Sequence, residues 1–399
     1  MSEATLHPRL EALLGYRDAV AADIDRPLLT TIIAIVALGL VMMASASVGV
    51  AEQAGGGSMH YLQRQLLFLV PAVAAFAIGL RLPLETLESL ASPLLLFGLF
   101  LLVLVLIPGV GREANGAVRW IPLGPVNVQV SEVARLFLLI YFAAFLQRHG
   151  AVLRISARPL LPGLLVLGIA AVLLLAQPDF GALAVLVATI GGLFFIAGMP
   201  LLLFLGLAAV AGVAGALLIF SSPYRLERLT AFRDPWADPF DTGFQLTQSL
   251  IAVGRGEWFG VGLGNSVQKL FYLPEAHTDF LFAVLAEELG LVGMTVVIAL
   301  YAFLVWRACR IGGASLRAGR HFGGLLAYGI GIGLGLQAFV NMGVNLGLLP
   351  TKGLTLPLMS YGGSSLVMSA AALGLLMRVD LERRRAGRSA SARPPRRPA

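Results

Sequence analysis

The sequence contains few charged residues and a single cysteine. Charged side chains make up 13% of its 399 residues, whereas a soluble domain usually carries about 25%. The one cysteine, Cys309, excludes an internal disulfide and any metal site with several cysteine ligands. The formal charge is +7 at pH 7. Because the basic residues lie in loops and terminal segments, no nucleic-acid partner is predicted.

Long apolar runs dominate the chain instead. Hydrophobic residues make up 58% of it, and many runs approach the ~20 residues that a helix needs to cross a bilayer. Lipid-exposed backbone must satisfy its own hydrogen bonds, which favours helices. The sequence therefore predicts an all-α polytopic membrane protein with ten transmembrane helices. The predicted spans are 28–50, 63–81, 87–108, 132–148, 159–176, 180–197, 199–220, 280–306, 321–349 and 354–378.

The remaining segments are polar. Residues 1–27 form a predicted cytoplasmic segment, and its length favours an uncleaved signal anchor over a cleaved signal peptide. The membrane domain, 28–378, includes one large loop, 221–279, between spans seven and eight. Two short amphipathic helices in this loop are expected to lie on the membrane and cover an outer cavity. Residues 379–399 are rich in Arg, Ala, Ser and Pro, and we predict a disordered basic cytoplasmic tail.

Lys and Arg residues are concentrated at one set of span ends. They precede span one, separate spans four and five and spans eight and nine, and follow span ten. Short cytoplasmic loops carry an excess of positive charge. Both termini are therefore predicted to be cytoplasmic and the 221–279 loop external. Cys309, which follows span eight, is predicted to face the cytoplasm.

Ionisable residues near or within the spans are destabilising in lipid and indicate function. Four of them, Glu132, Arg135, Asp179 and Asp279, lie at predicted outer ends of spans, where Asn341 and Asn345 also lie. Glu287 and Glu288 follow Asp279 by eight and nine positions, which at ~1.5 Å per residue places them close to mid-bilayer. Asp279 is the last charge before span eight. A carboxylate at the mouth of a helical bundle is the first candidate for chemistry.

Several of these residues also have a structural interpretation. Glu132 and Arg135 have the i, i+3 spacing of a helical ion pair. Glu287 and Glu288 point about 100° apart on a helix, so they cannot share one role, and a protonated or paired packing acid is favoured over a catalytic one. His277 is interpreted as a positioning group and not a metal ligand, because no second His or Cys is nearby.

Glycines mark two further features. Gly329, Gly331, Gly333 and Gly335 follow the small-residue spacing that lets helices approach closely. In 360–365, two adjacent glycines stand among hydroxyl residues within span ten. This pattern favours a broken helix that lines a cavity over plain close packing.

Five stretches resemble the SEDS family of bacterial morphogenesis and division proteins. They are 115–121, 177–181, 272–280, 286–290 and 356–365. Within the family, segments 264–270 and 350–354 are similar to the division member and not to the elongation member. The chain departs from the family pattern at Arg135, where the family usually has lysine. A role that needs lysine is therefore not carried over to this position.

The resemblance implies a peptidoglycan glycosyltransferase that polymerises lipid II at the division septum of the bacterial inner membrane. Asp279 corresponds to the family's general base for an inverting transfer. The implied substrate-binding residues are Arg119, Glu132, Arg135, Asp179, His277, Lys352, Ser360 and Ser364. Asp179 is the candidate ligand for a divalent cation, Mg²⁺ or Mn²⁺, and no organic cofactor is implied.

The resemblance also implies partners. They are an FtsI-like class B penicillin-binding transpeptidase and other membrane proteins of the divisome. Because single-span partners dock on small-residue or apolar helix faces, we expect spans eight and nine to contribute.

Two other functions fit a polytopic protein of this kind. A lipid II flippase would need polar residues along the whole path of the sugar-peptide head, but the cytoplasmic halves of the spans are nearly free of acids and bases. A non-enzymatic scaffold that recruits a septal transpeptidase would not require acids at mid-membrane. The polymerase is therefore the favoured prediction.

Overall fold

A computed structural model describes residues 24–53, 59–114, 116–124, 126–153, 155–158, 160–270 and 273–391. The predictions for the first 23 residues of the N-terminal segment and for 392–399 of the tail lie outside the described residues. So do Asn115 and Tyr272 of the family-like stretches.

Helices account for most of the described chain. The first half contains α1 (Arg26–Gln53), α2 (His60–Arg81), α3 (Leu84–Ser89), α4 (Ala91–Leu104), α5 (Val130–Leu153), α6 (Leu160–Ala176), α7 (Phe180–Ile196) and α8 (Leu201–Phe220). The second half contains α9 (Pro223–Arg233), α10 (Phe244–Gly256), α11 (Leu281–Arg317), α12 (His321–Asn345) and α13 (Gly363–Ser391).

Seven described helices are long and apolar enough to cross a membrane by length and composition. They are α1, α2, α5, α8, α11, α12 and α13. Three shorter apolar helices, α4, α6 and α7, lie in the other predicted spans. At ~1.5 Å per residue, these three fall short of a ~30 Å hydrocarbon core. In the third predicted span, α3 and α4 follow one another across a turn at Leu90.

The fold is not purely helical, which corrects the predicted all-α class. Between α4 and α5 the chain forms a three-stranded antiparallel sheet of β1 (Arg112–Ala114), β2 (Ala117–Leu123) and β3 (Val126–Gln129). Trp120 pairs with Gln129 and Leu123 with Val126. Gly116 and Gly124, at φ 72° and 65°, supply the left-handed backbone that the two turns require. Because the strands are short and outside an apolar run, the hydropathy pattern did not indicate them.

The α11 helix breaks at Gly290. This residue has φ 63°, and a Cβ there would lie 2.4 Å from the Gly260 nitrogen. The following amides leave the helical pattern, since Leu291 N–H donates to the Glu257 carbonyl at 2.9 Å and Val292 N–H to that of Trp258 at 3.1 Å. The polar segment after α10 therefore completes the hydrogen bonding of a membrane helix.

The last two spans end and begin elsewhere than predicted. The α12 helix ends at Asn345 and α13 begins at Gly363, so most of 346–362 is irregular. The predicted break at 360–365 is therefore present, and it lies at the start of the final helix. The predicted disordered tail is wrong for 379–391, because α13 continues to Ser391.

An ion-pair network explains why the start of the tail is ordered. Asp380 accepts hydrogen bonds from Arg383 and Arg384. Arg384 also lies 3.1 Å from the Oδ2 atom of Asp25, which Arg307 contacts at 2.6 Å. Asp25 is buried and accepts a hydrogen bond from Leu28 N–H at the start of α1. The ends of α1, α11 and α13 thus meet at one end of the bundle.

The glycines of α12 pack inside the chain. A Cβ at Gly329 would lie 2.3 Å from Leu139, one at Gly331 would lie 2.7 Å from Ala308, and one at Gly335 would lie 2.7 Å from Val305. These contacts place α12 against α5 and α11. The α12 helix is therefore a central element that carries its polar residues into the middle of the fold.

Candidate functional site

A cavity of about 1350 Å³ lies at the end of the bundle opposite the Asp25 network. Its wall combines the β-sheet, the starts of α2, α7 and α13, the α9 helix and segments 275–280 and 351–355. The volume exceeds the ~300–1,000 Å³ usual for small-molecule pockets. The cavity therefore has room for a large substrate.

Asp279 is half-buried on this wall, two residues before α11. Its position is fixed through the backbone, because its carbonyl accepts hydrogen bonds from Asn341 at 2.8 Å and Asn345 at 3.0 Å. Burial raises the pKa of the carboxyl group to about 7, and the nearby Glu275 adds to this increase, while Arg228 and Arg119 oppose it. A carboxylate with this pKa is a suitable general base near neutral pH.

Cationic side chains from four elements share the same wall. Arg64 lies on α2, Arg119 on β2, Arg225 and Arg228 on α9, and Lys352 in the segment after α12. The Nζ atom of Lys352 lies 4.3 Å from the centre of the Phe180 ring. Burial, with Arg228 and Arg225 nearby, lowers the pKa of Lys352 to about 8. This concentration of positive charge matches an anionic ligand group.

Asp179 and Arg119 connect the sheet to the start of α7. Asp179 is the N-cap residue of α7, and its Oδ1 atom accepts a hydrogen bond from Ala182 N–H at 3.2 Å. The Nη1 atom of Arg119 lies 3.8 Å from the same oxygen, and its Nε donates to the Gln177 carbonyl at 3.2 Å. Within the described residues, the buried Oδ2 atom of Asp179 has no hydrogen-bond partner.

The structure brings together five of the predicted site residues and separates four. Arg119, Asp179, Asp279, Lys352 and Ser364 line the large cavity. Glu132 and Arg135 form an ion pair beside a separate cavity of about 70 Å³.

His277 and Ser360 lie behind the cavity wall. The His277 ring packs between Tyr61 and Tyr361, at 4.7 and 5.6 Å between ring centres, and burial lowers its pKa. The Ser360 hydroxyl accepts a hydrogen bond from Leu356 N–H at 3.0 Å. His277 and Ser360 therefore stabilise the conformation of the segments next to the site.

Glu287 and Glu288 are buried and paired, as their structural interpretation predicts. Arg255 contacts Glu287 at 2.8 Å, and Lys269 contacts Glu288 at 2.8 Å. Ser266 donates to Glu287, and Ser45 donates to Glu288 at 2.6 Å. These acids hold the segment after α10 against α1 and α11.

Sequence reasoning missed the cavity roles of Arg64, Arg225 and Arg228. Arg225 and Arg228 did carry a signal, because they have i, i+3 spacing in a segment predicted to be an amphipathic helix over the cavity. That segment is α9, and Arg225 and Arg228 line the cavity wall. Arg64 stands alone near the start of α2, and nothing in its neighbourhood indicates the cavity.

These features define a class of protein. Apolar helices long enough to cross a membrane surround a large, partly apolar cavity with a cationic wall and one carboxylate of raised pKa. Such a site suits chemistry on an amphiphilic, anionic substrate at a membrane surface.

The comparison with known families agrees with this class. The family model described as "Cell cycle protein", which covers FtsW, RodA and SpoVE, matches residues 26–385. The chain belongs to this family. A relative from Alkalilimnicola ehrlichii, named probable peptidoglycan glycosyltransferase FtsW, is 59% identical over 100% of this chain and 98% of its own. A relative of the same name from Thioalkalivibrio sulfidiphilus is 55% identical over 96% of each chain.

Solved structures share the fold. One, described as "Structural coordination of polymerization and crosslinking by a peptidoglycan synthase complex", has a TM-score of 0.74 and 34% identity. It covers 90% of this chain and 98% of the other. The rod-shape-determining protein RodA of Thermus thermophilus has a TM-score of 0.67 and 34% identity, over 90% and 97% of the two chains.

Proposed function

We propose that this protein is a peptidoglycan glycosyltransferase that polymerises lipid II into glycan strands at the division septum. The chain matches relatives named probable peptidoglycan glycosyltransferase FtsW over 96% or more of their length. The observation that carries the mechanism is Asp279, a carboxylate with a pKa raised to about 7 on the wall of a cationic cavity.

The chemistry is an inverting glycosyl transfer. The Asp279 carboxylate removes the proton from the acceptor sugar's 4-hydroxyl as that oxygen attacks the anomeric carbon of the donor. The new glycosidic C–O bond forms while the bond to the donor's diphosphate breaks, and the diphosphate leaves with the electron pair. An α-linked donor then gives a β-linked product, and one base and a stabilised leaving group suffice.

The cationic wall supports the leaving-group half of this scheme. Arg119 and Lys352 line the cavity together with Arg225 and Arg228 of α9, and arginine recognises phosphate oxygens well. Ser364, at the start of α13, adds a hydroxyl that donates to the Asn127 carbonyl at 3.3 Å. Leu67, Phe68 and Met368 also line the cavity and give it an apolar part suited to the substrate's lipid chain.

A divalent cation, Mg²⁺ or Mn²⁺, fits the donor set at Asp179. Mg²⁺ typically takes one or two carboxylates together with substrate phosphates and waters. Asp179 offers a buried carboxylate oxygen without a hydrogen-bond partner among the described residues, in the wall of the cavity. Asp179 would hold the ion, which would supply charge neutralisation for the leaving diphosphate.

The membrane placement is part of the proposal. The ten apolar helices act as ten spans in the bacterial inner membrane, with both termini cytoplasmic and segment 221–279 external. The network of Asp25, Arg307 and Arg384 supports a common side for the ends of α1, α11 and α13. In this orientation the cavity opens outward, where the disaccharide-pentapeptide head of lipid II is found.

A class B penicillin-binding transpeptidase of the FtsI type is the proposed partner, with other divisome membrane proteins. A similar structure belongs to a complex that coordinates polymerisation and crosslinking. The glycine ladder of span nine does not supply the docking face, because it packs inside the chain. The outer face of α11 remains the proposed surface, since Leu291, Val292 and Val296 are exposed there.

The test of the function is Asp279→Asn in the protein purified with its transpeptidase partner. Loss of a general base typically lowers the rate by about 10²–10⁴-fold, so glycan synthesis from lipid II should become undetectable. Asp238→Asn is the matched control, because Asp238 is an exposed acid of the same polar segment whose contacts are with Thr242. This control should polymerise at the wild-type rate.

The same variants separate the alternatives. A flippase would lose lipid II translocation in Asp279→Asn, and a non-enzymatic scaffold would lose nothing, because it catalyses neither translocation nor polymerisation. Near wild-type glycan synthesis by purified Asp279→Asn would refute the assignment of Asp279 as the base.

A further inference from the structure

Three amide side chains form a ladder on one face of α12. Gln337, Asn341 and Asn345 are spaced four residues apart, so they lie one above another on the helix. Each is at most 2% exposed. Buried amides without partners are strongly destabilising in a membrane protein, which makes their hydrogen bonds informative.

Two amides of this ladder bind the backbone of the proposed general base. The Nδ2 groups of Asn341 and Asn345 both donate to the backbone carbonyl of Asp279, at 2.8 and 3.0 Å. That carbonyl is thus held from two sides. The carboxylate is left to face the cavity, because these amides bind only the backbone.

The same ladder holds the segment that carries Lys352. Asn341 Nδ2 also donates to the Leu354 carbonyl at 2.6 Å, and Gln337 Nε2 donates to the Thr355 carbonyl at 3.0 Å. A Cβ at Gly353 would lie 3.4 Å from Asp279 Oδ2. A single amide, Asn341, therefore joins the backbone of the base to the backbone beside the cationic residue.

Asn345, the last amide of the ladder, also stabilises the start of α11. The N-cap residue of α11, Phe280, makes no side-chain capping hydrogen bond. Asn345 Oδ1 takes over this function from another helix, since it accepts a hydrogen bond from Ala283 N–H at 2.9 Å. Ser249 of α10 donates to the Asn345 carbonyl at 2.8 Å. The helix that follows Asp279 is thus anchored to α12.

We propose that Asn341 is a positioning residue for the glycosyl transfer, which sets the spacing between the Asp279 carboxylate and Lys352 by binding the backbone of both segments. This inference rests on the proposed function. Asn345 supports the same geometry by capping α11, and Gln337 supports it by holding Thr355. Asn341 makes the connection between the two segments, so it is the residue to test.

A purely structural role for Asn341 predicts a different result. Within the described chain, its Oδ1 atom is buried and has no hydrogen-bond partner. An apolar residue of similar size removes this unsatisfied atom but also takes the donor away from the buried Leu354 carbonyl. A purely structural role therefore predicts a lower Tm with an unchanged kcat per folded molecule. In a positioning role, the same replacement frees the Leu354 carbonyl from this tie, leaves the Asp279 carbonyl bound by Asn345 alone, and moves the base relative to the cation.

The experiment compares Asn341→Leu with wild type in the purified complex with the transpeptidase. We expect kcat for lipid II polymerisation to fall about 100-fold, the effect of a ~1 Å misplacement at a reacting centre, with little change in KM. Thr189→Val is the matched control, because Thr189 is buried and donates only to the Val185 carbonyl of its own helix. It should retain the wild-type kcat.

The pH profile provides a readout that stability alone does not change. The groups whose charge acts on Asp279 are Glu275, Arg119 and Arg228, with Lys352 alongside on the same wall, and the variant leaves all four in place. If the base moves toward solvent, the acid limb of the kcat profile shifts to lower pH. In Thr189→Val this limb should stay where it is in wild type.

Asn341→Ser keeps one hydroxyl donor and provides a milder change if the leucine variant does not fold. It should show the same direction of effect at a smaller size. A folded Asn341→Leu or Asn341→Ser protein with wild-type kcat and an unshifted acid limb overturns the inference. A fall in kcat that only tracks a lower Tm, with the limb unshifted, also overturns it. If Asp279→Asn stays active, the proposed function itself is refuted, which is a distinguishable result.

Discussion

The acid before the start of α11, Asp279, differs sharply from the two acids within that helix, Glu287 and Glu288, although Glu287 follows Asp279 by only eight positions. Asp279 lies on the cavity wall, and no described residue donates a hydrogen bond to its carboxylate. Glu287 and Glu288 are fully buried and accept hydrogen bonds from charged, hydroxyl and backbone donors. Asp279, whose pKa burial raises to about 7, lies where a ligand in the cavity can reach it. The acids that are satisfied serve to hold the chain in place.

The backbone shows the same division of roles. Around Glu287 and Glu288, the Val261 and Gly262 amides donate to the carbonyls of the two glutamates at 3.0 and 3.1 Å. The polar segment is thereby clamped to the break at Gly290. One of the two joined segments precedes Asp279 in the chain and the other follows it. The hydrogen bonds between them therefore hold together the chain on both sides of the base.

The largest expected contrast is between Asp279→Asn and Glu288→Gln. The first should abolish polymerisation and leave Tm nearly unchanged. The second removes one partner of the buried pair with Lys269, and breaking such a pair typically costs about 3–5 kcal/mol of unfolding free energy. Glu288→Gln should therefore lower Tm strongly, with nearly normal kcat per folded molecule. Thermal unfolding and lipid II polymerisation on the same preparations test this, and a Glu288→Gln protein with normal Tm and no activity would reverse the comparison.

The double variant Lys269→Met with Glu288→Gln sharpens the comparison. Replacing both members of a buried ion pair leaves no uncompensated charge and is often close to neutral for stability. The Tm of the double variant should therefore recover most of the loss seen in Glu288→Gln. Asp279→Asn with Lys352→Met should show no such recovery of activity. If the two double variants behave alike, the acids of the two regions do not have different roles.

The pH dependence of activity follows from the cavity groups. Asp279 acts as a base only when ionised, and its pKa is raised to about 7, so kcat should fall about tenfold per pH unit below that value. Lys352 binds an anion best when protonated, and its pKa is lowered to about 8. The profile should therefore be bell-shaped, with a maximum between the two values. In Lys352→Arg the alkaline limb should disappear while the acid limb stays, which initial rates across pH would show.

The smallest effect concerns orientation. Cys309 lies near the end of α11, close to Arg307, which contacts Asp25, whereas Asp279 lies just before the start of that helix. In intact cells a membrane-impermeant thiol reagent should leave Cys309 unlabelled. A cysteine introduced at the exposed Ala237 should be labelled readily. Labelling of Cys309 from outside would place the cavity on the cytoplasmic side, where the head group of an external substrate cannot reach it.

The sequence predicted those features that depend on local composition. Apolar runs indicated helices because lipid-exposed backbone needs internal hydrogen bonds, and each predicted span contains an apolar helix. Asp279 was conspicuous because it is the last charge before an apolar run. The arginines of α9 were indicated as part of an amphipathic helix, since helical spacing is a local property.

Tertiary structure alone decided which of these residues meet. Arg119, Asp179, Lys352 and Ser364 come from four separate elements, and no local pattern joins them to Asp279. The sheet escaped prediction because pairing between short strands is set by turns and partners, not by hydropathy. Glu132 and Arg135 lie beside a different cavity because the α5 helix turns them away from the large one.

The helical structure of the first part of the tail also depends on contacts with residues far away in the sequence. The composition of 379–391 favours disorder when taken alone, but Arg384 binds both Asp380 in its own helix and Asp25 near the other end of the sequence. By itself, then, the sequence determined the apolar helices and the candidate acid, because hydrophobic burial and helix propensity act over short stretches of chain. The convergence on Asp279, the satisfaction of Glu287 and Glu288 and the amide ladder of α12 were decided only in three dimensions, because hydrogen bonds and ion pairs form between groups that folding brings within about 3 Å.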